Sequence, residues 1–326
     1  MVKDAVPLGE CPRALVVKMR HHGDVLLAAP VLTVLKAHAP RIEVDALVYD
    51  DTAPMLEGHP ALSKLHVAGR KWRELGALER FSRECALFKA LRARRYDLLL
   101  HLSEHPRGAW LARTLGARYR VGPIVADRGA FWRRSFTHLY PMVRNRHHVE
   151  VNLDALRRIG IQPAMAERKV VFVPGEAAEK RISELVGGEP FVHMHPASRW
   201  RFKCWPAEKN AELIDRFAAE GHQVVVTAAP DETQMIDEIL GKSRAKPLNL
   251  AGKLTLKQLG YHEKAVAVLD LEGFFDPLWA QFQRGIDEGF IKPEFLDLWY
   301  PAPDVDALLR YLEGYEPHRY GLKWTR

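Results

Sequence analysis

Apolar residues in this chain fall into short runs separated by polar, helically spaced stretches. In the first half, residues 14–18, 42–48, 62–67, 96–101 and 119–121 read as strands. Helical spacing predicts helices at 24–37, 51–57, 81–94, 106–115 and 149–159. Strands alternating with helices imply a parallel sheet with helical crossovers, an α/β class. The pattern restarts after 163–175, where polar residues and Pro174-Gly175 precede a helix at 177–186. A strand at 191–195, a helix at 207–219 and a strand at 222–228 follow. The last segment reads as strand 265–270, helix 276–285, strand 296–301 and helix 304–314. Two domains are expected, 1–170 and 171–326, each long enough for its own core.

Composition narrows the class. No apolar run approaches the roughly 18 residues of a membrane span, and the opening Met1-Val2-Lys3-Asp4-Ala5 lacks a secretory apolar region. The three cysteines, Cys11, Cys85 and Cys204, are widely spaced, which suits a reducing compartment and gives no metal-ligand pattern. A soluble, cytoplasmic enzyme is expected. The net charge of +7 is unevenly spread: residues 1–260 carry 41 basic and 29 acidic residues, and 261–326 carry 7 and 12. Much of the excess is arginine in the first domain, including Arg92, Arg107, Arg113, Arg120, Arg128 and Arg146. Guanidinium groups suit phosphates and carboxylates. No helix-turn-helix, finger or RNP pattern accompanies them, so nucleic acid is not expected. A phosphorylated, acidic glycolipid at an anionic membrane surface fits the charge, and a solvated basic face is the plainer alternative.

Two loops carry candidate chemistry. The first is Lys18-Met19-Arg20-His21-His22-Gly23-Asp24-Val25-Leu26-Leu27, directly after the first strand. It places the Asp24 carboxylate at a helix N-terminus, at the carboxyl end of a parallel strand, where open α/β sheets bind ligands. Asp24 would serve equally as an ordinary N-cap. Leu98-Leu99-Leu100 running into His101-Leu102-Ser103-Glu104-His105 is a second strand-to-loop switch. The other candidate loop is Pro196-Ala197-Ser198-Arg199-Trp200-Arg201-Phe202-Lys203-Cys204-Trp205-Pro206. A hydroxyl and a lysine at a strand end, ahead of a helix, can grip a diphosphate. A lysine whose stem packs between Trp200 and Trp205 is the alternative for Lys203. Glu232 follows the next strand in Ala229-Pro230-Asp231-Glu232, where a carboxylate in a helix's first turn is favourable without any ligand.

The first loop, with its continuation into Thr33-Val34-Leu35-Lys36, resembles the N-terminal motif of the lipopolysaccharide heptosyltransferases, and the pair His21-His22 is most similar to the heptosyltransferase III branch. Ala109-Trp110-Leu111-Ala112, Gly116–Gly122 and Val149-Glu150-Val151-Asn152-Leu153-Asp154 continue the likeness, as does Lys-x-Trp-Pro after Ser198. The resemblance covers 13–260. It implies two Rossmann-like domains facing across a cleft, a GT-B-like fold, with acceptor on the first and nucleotide sugar on the second. It also implies transfer of heptose from ADP-heptose to the inner core of lipopolysaccharide by direct displacement. Asp24 would be the general base, and Lys203 would steady the departing diphosphate. Ser198, Arg199 and Glu232 would contact the donor; His21, His22, Gly23, Glu104 and Arg120 would contact the acceptor. Nothing resembles the Asp-x-Asp metal site of the other main glycosyltransferase architecture, so no metal and no cofactor are expected. A monomer in peripheral contact with the inner membrane is implied.

The likeness stops near Gln258-Leu259-Gly260. The family should continue into an Asp-Ser/Thr…His donor motif, which this chain lacks. Instead Gly273-Phe274-Phe275-Asp276-Pro277-Leu278 and Ile286-Asp287-Glu288-Gly289-Phe290-Ile291-Lys292-Pro293 resemble the end of the cytokinin-activating, lysine-decarboxylase-like nucleotide phosphoribohydrolases. Of the 30 aromatic residues, 13 lie in 261–326. The glycine-rich loop of that second family is absent upstream of Gln258. The atypical tail could complete the second sheet as two βα units, and His262 and Asp270 are candidate stand-ins for the missing donor contacts. Two further readings stay open: an inactive hybrid that keeps acceptor or nucleotide binding, and a nucleoside 5'-monophosphate phosphoribohydrolase.

Overall fold

The computed structural model describes residues 4–143, 146–187, 190–198, 201–259, 267–269, 276–287 and 300–314. Its contacts divide into two units, one of residues up to Lys180 together with 256–259, the other of Arg181–Thr255 with the described parts of 261–323.

In the first unit the order is β1 (Arg13–Val17), α1 (His22–Leu26), α2 (Ala29–His38), β2 (Glu43–Tyr49), β3 (Lys64–Ala68), α3 (Ala77–Ala93), β4 (Leu98–His101), α4 (Pro106–Thr114), β5 (Tyr119–Pro123), α5 (Ala130–Ser135), β6 (His138–Tyr140) and α6 (His148–Arg158). The strands form one six-stranded sheet ordered β3-β2-β1-β4-β5-β6, parallel throughout. That is the doubly wound order, whose direction of winding reverses between β1 and β4. Both faces are covered, so the strands read as unbroken apolar runs. Alternation sends Ala14, Val16, Val44 and Leu100 into the layer under α2 and α6, and Leu15, Val17, Leu47 and Leu99 into the layer under α4 and α5.

The single helix expected over 24–37 is two helices. Pro30 has no N–H to give Leu26, and its ring crowds that carbonyl, so α1 ends at Leu26. Val31 then bonds back to the Ala28 carbonyl at 3.0 Å, which leaves the Leu27 carbonyl free for another donor. The helix expected over 51–57 is a 3-10 stretch, Asp50–Met55, with Pro54 inside it. The short strand β6 and helix α5 were not read from the sequence.

β2 carries a fully buried carboxylate, Asp45. Arg94 reaches it at 2.7 Å, the Tyr96 hydroxyl donates to it at 2.7 Å, and His66 Nε2 lies 3.5 Å away. Burial works against its charge, but the bonds from His66, Arg94 and Tyr96 prevail and hold the carboxyl at about 2.

The second unit contains most of α7 (Glu176–Val186), then β7 (Phe191–Met194), α8 (Ala207–Ala219), β8 (Gln223–Val226), α9 (Thr233–Leu240) and β9 (Leu248–Asn249). Its sheet is parallel in the order β7-β8-β9. The chain then returns to the first unit as α10 (Leu256–Leu259), where Lys257 pairs with Glu57 at 2.9 Å. The tail has the expected βαβα order: β10 (Ala267–Leu269), α11 (Asp276–Asp287), β11 (Tyr300–Ala302) and α12 (Val305–Glu313). Among the described residues, β10 and β11 pair with each other in a sheet of their own and do not extend β7–β9. The tail is fastened to the second unit through α12. Asp304 caps that helix by accepting from the Ala307 N–H at 2.7 Å, Leu308 packs on the core of Ile214, Phe217 and Val226, and Asp306 pairs with Arg216.

Replacing Asp45 with Ala removes the buried acceptor that Arg94, Tyr96 and His66 share and leaves Arg94 only Glu43, so unfolding free energy in urea should fall by about 3–5 kcal/mol. The Asp45 contribution is complete above the usual 3.8 of a free Asp and is lost as pH falls through about 2. The variant should therefore show a flatter loss of stability with acid than the wild type.

Candidate active site

The loops after β1 and β4 flank the point where the sheet's winding reverses, which is where doubly wound sheets bind their ligands. The β1 loop is shaped by its own backbone. α1 starts at His22, with His21 as the capping position, so Asp24 stands third in the helix and not at its cap as expected. Its Oδ2 accepts a long bond from the His21 N–H at 3.4 Å and lies 3.9 Å from Arg20 Nε. The side chain keeps 22% of its surface open. A carboxylate so loosely held has lone pairs left for an incoming proton.

Lys18, next to the end of β1, has no role legible in the sequence and stabilises the Asp24 loop. Lys18 is buried, and its ammonium donates to the Leu102 carbonyl at 2.8 Å and to Asn152 Oδ1 at 2.9 Å. Asn152 in turn donates to the Leu27 carbonyl, freed by Pro30, at 2.8 Å. One ammonium thus ties the end of β1 to the β4 loop, to α6 and to the break between α1 and α2. Burial pushes Lys18 down to about 8, with the negative charge of Asp24 acting the other way. The signal available in the sequence was a lone amide among Val149, Leu153 and Leu156 on the apolar face of α6.

The two histidines part company. His22 Nε2 meets the Asp51 carbonyl at 2.9 Å, while His21 is exposed at the mouth of the loop. Gly23 is exposed, with open space where a Cβ would stand. Arg70, another residue missed in the sequence, clamps this edge. It bonds Asp51 at 2.7 Å and the Arg20 carbonyl at 2.7 Å, with its guanidinium 4.2 Å from the centre of the Tyr49 ring.

Glu104 follows β4 and is exposed on the same edge as Asp24. Beside it, the buried Ser103 hydroxyl has no hydrogen-bond partner among the described residues. His105 caps α4 through Nδ1, which accepts from the Arg107 N–H at 3.2 Å. The His105 imidazole is pushed below its ordinary range, first by burial and then by the charges of Arg107, Arg73, Arg128 and Arg20. Four guanidinium groups therefore act on His105, Arg107 from the first turn of α4 and Arg73, Arg128 and Arg20 from other segments, an arrangement suited to an anionic sugar. Arg120 does not join them. It is the second residue of β5, and its guanidinium turns to the Ala117 and Ser135 carbonyls at 2.7 and 3.0 Å, so it braces the strand instead of reaching the acceptor rim.

In the second unit, Ser198 and Lys203 lie on the loop between β7 and α8. Cys204 Sγ sits 3.8 Å from the Ser198 carbonyl, and Lys203 ends a one-turn 3-10 helix, Arg201–Lys203. Arg199 and the Lys203 side chain lie outside the described residues, as do His262 and Asp270. The Glu232 carboxylate accepts from the Ala229 N–H at 3.0 Å, so the expected donor contact already has a structural task in its own turn. At the adjoining strand ends Thr227 Oγ1 meets His193 Nε2 at 2.7 Å and His195 Nδ1 at 2.9 Å, a hydroxyl–imidazole cluster that was not anticipated.

Lys18→Met leaves two buried acceptors without a donor and should cost about 2 kcal/mol or more in urea unfolding. Because Lys18 and Asn152 share one bond, the double variant K18M/N152L should lose clearly less than the sum of the two single variants.

A family model described as glycosyltransferase family 9 (heptosyltransferase) matches residues 85–269, and one described as possible lysine decarboxylase matches 250–312. Lipopolysaccharide heptosyltransferase 3 of Escherichia coli is 35% identical over 248 residues, which is 74% of this chain and 72% of that protein. A cytokinin riboside 5'-monophosphate phosphoribohydrolase of Arabidopsis thaliana is 39% identical over 64 residues, 20% of this chain and 30% of that protein. Among solved structures, a family 9 glycosyl transferase from Veillonella parvula superposes with a TM-score of 0.69 at 21% identity, covering 79% of this chain and 73% of its own. The E. coli heptosyltransferase WaaC with ADP gives 0.61 at 22%, covering 78% and 80%. The sheet order, the Asp24 loop and these matches together place the chain in glycosyltransferase family 9, as a glycosyltransferase enzyme with a C-terminal segment similar to the phosphoribohydrolases.

Proposed function

We propose that this enzyme transfers a heptose from ADP-heptose to the inner core of lipopolysaccharide, with Asp24 as general base. The supporting observation is the partly exposed, weakly held Asp24 carboxylate in the loop after β1, at the reversal point of the sheet, with Arg20 3.9 Å away and Arg73, Arg107 and Arg128 acting on His105 of the β4 loop. In the reaction an acceptor hydroxyl attacks the anomeric carbon of the donor, and its proton passes to Asp24 as the new C–O bond forms. The bond between that carbon and the diphosphate oxygen breaks, and ADP leaves with the electron pair. Lys203 and the loop around Ser198 neutralise the charge gathering on ADP. The arginines hold the phosphates or carboxylates of the acceptor, while the Lys18 ammonium fixes the base's loop from below. The acceptor is a lipid, so the enzyme works as a monomer against the cytoplasmic face of the inner membrane. No helix among the described residues is long and apolar enough to cross that membrane.

The test is ADP release from ADP-heptose in the presence of truncated lipopolysaccharide. Asp24→Asn should lower the rate by about 10²–10⁴-fold while ADP binding stays unchanged. Lys203→Ala should lower it by about 10²–10³-fold. Wild-type rates in Asp24→Ala would overturn the assignment of the base. Adenine released from adenosine monophosphate, with no ADP released from the sugar donor, would move the activity to the phosphoribohydrolase class.

A further inference from the structure

α3 is poorly buried for a helix of 17 residues: among its side chains only Leu91 is fully covered. Its first two turns carry Leu78 and Phe81, 88% and 69% exposed, three residues apart and so on one face. A groove of about 580 Å³ runs from Phe81 and Arg80, past Trp110 and Arg107, to His105, Arg70 and Tyr49 at the crevice edge. Trp110 is itself 60% exposed and lies against Phe131, with ring centres 4.8 Å apart; Arg113 stacks on the far side of Phe131 at 5.2 Å. Leu78, Phe81 and Trp110 are among the most exposed large apolar side chains in the described residues, and Phe131 is 42% exposed.

Their surroundings are basic. Residues 70–95 hold nine Lys and Arg against three Asp and Glu; Arg70, Arg83 and Arg94 are spent on Asp51, Glu79 and Asp45. Arg80 and Arg73 have no ion pair among the described residues, although carboxylates stand close by on the same segment. Protruding aliphatic and aromatic side chains interleaved with unpaired arginines match an anionic bilayer surface, where rings and alkyl groups enter the headgroup layer and guanidinium groups meet phosphates.

We infer that Leu78, Phe81, Trp110 and Phe131, with Arg80 and Arg113, form the face by which the enzyme docks on an anionic lipid bilayer. The inference rests on the reading of a lipid-anchored acceptor, and the groove supplies its logic. A phosphorylated sugar at the Arg73–Arg107 end sits at the crevice while its lipid anchor stays in the bilayer at the Phe81–Trp110 end.

The experiment is flotation of the full chain with vesicles of phosphatidylglycerol and phosphatidylethanolamine, and with phosphatidylcholine alone. The wild type should float with the anionic vesicles, less so as salt rises, and stay behind with phosphatidylcholine. L78S/F81S should partition about tenfold or more weakly, and R80E should float less than the wild type at low salt and change less as salt rises. On a deacylated, soluble acceptor L78S/F81S should release ADP at the wild-type rate, which separates the docking face from the transferase reading. Equal flotation of wild type and L78S/F81S would overturn the inference. So would sedimentation showing that the same double variant dissolves a dimer, because the face would then belong to a second copy. Loss of flotation with transfer on soluble acceptor intact supports it. Flotation without any sugar transfer leaves the docking face standing and rejects the transferase.

Discussion

One buried ammonium holds the crevice together. Lys18 sits past the end of β1, where the sheet's carbonyls run out and a tight turn must begin. It donates to the Leu102 carbonyl on one side and to Asn152 on the other, and Asn152 passes the constraint to the Leu27 carbonyl. A charge in such a place is costly unless it is fully hydrogen-bonded, so the loops cannot drift without leaving it unpaired. The Asp24 loop therefore has a fixed floor while its own carboxylate stays loosely bonded. Rigidity below and freedom above are what a general base needs: a defined position, with lone pairs open to a substrate.

Around that floor the charges sort themselves by depth. The deepest carboxylate, Asp45, is consumed by Arg94, Tyr96 and His66 and serves the fold alone. Arg70 and Arg120 likewise brace backbone carbonyls. The guanidinium groups that converge on His105 stand nearer the surface, and they give the crevice its anion-seeking character. A neutral imidazole at their centre is the expected consequence, because neither burial nor four positive neighbours permits another proton.

The join between two families has a physical counterpart. The tail brings no glycine-rich loop, yet it is not loosely attached: α12 is capped by Asp304, paired to Arg216 and packed through Leu308 on the core of the second unit. Its two described strands satisfy each other's backbone instead of the edge of β7–β9. The segment therefore packs on the second unit through α12.

Much of this was written in the chain itself. Unbroken apolar runs such as Ala14–Val17 and Leu98–Leu100 can only be strands buried on both faces, and their alternation with amphipathic segments fixes a parallel α/β sheet. The Gly-Asp turn after the first run marks the candidate base for the same local reason. What stayed hidden depended on partners far away in sequence. Lys18 and Asn152 are 134 positions apart, and nothing local tells a buried ammonium from a surface one. Arg120 looked like a ligand for the acceptor until two backbone carbonyls claimed it, and Glu232 looked free until its own turn used it. Hydrophobic periodicity is a property of neighbours along the chain, so sequence alone set the elements and their class. The pairing of polar groups is a property of neighbours in space, so only the tertiary structure decided which charges are left to do chemistry.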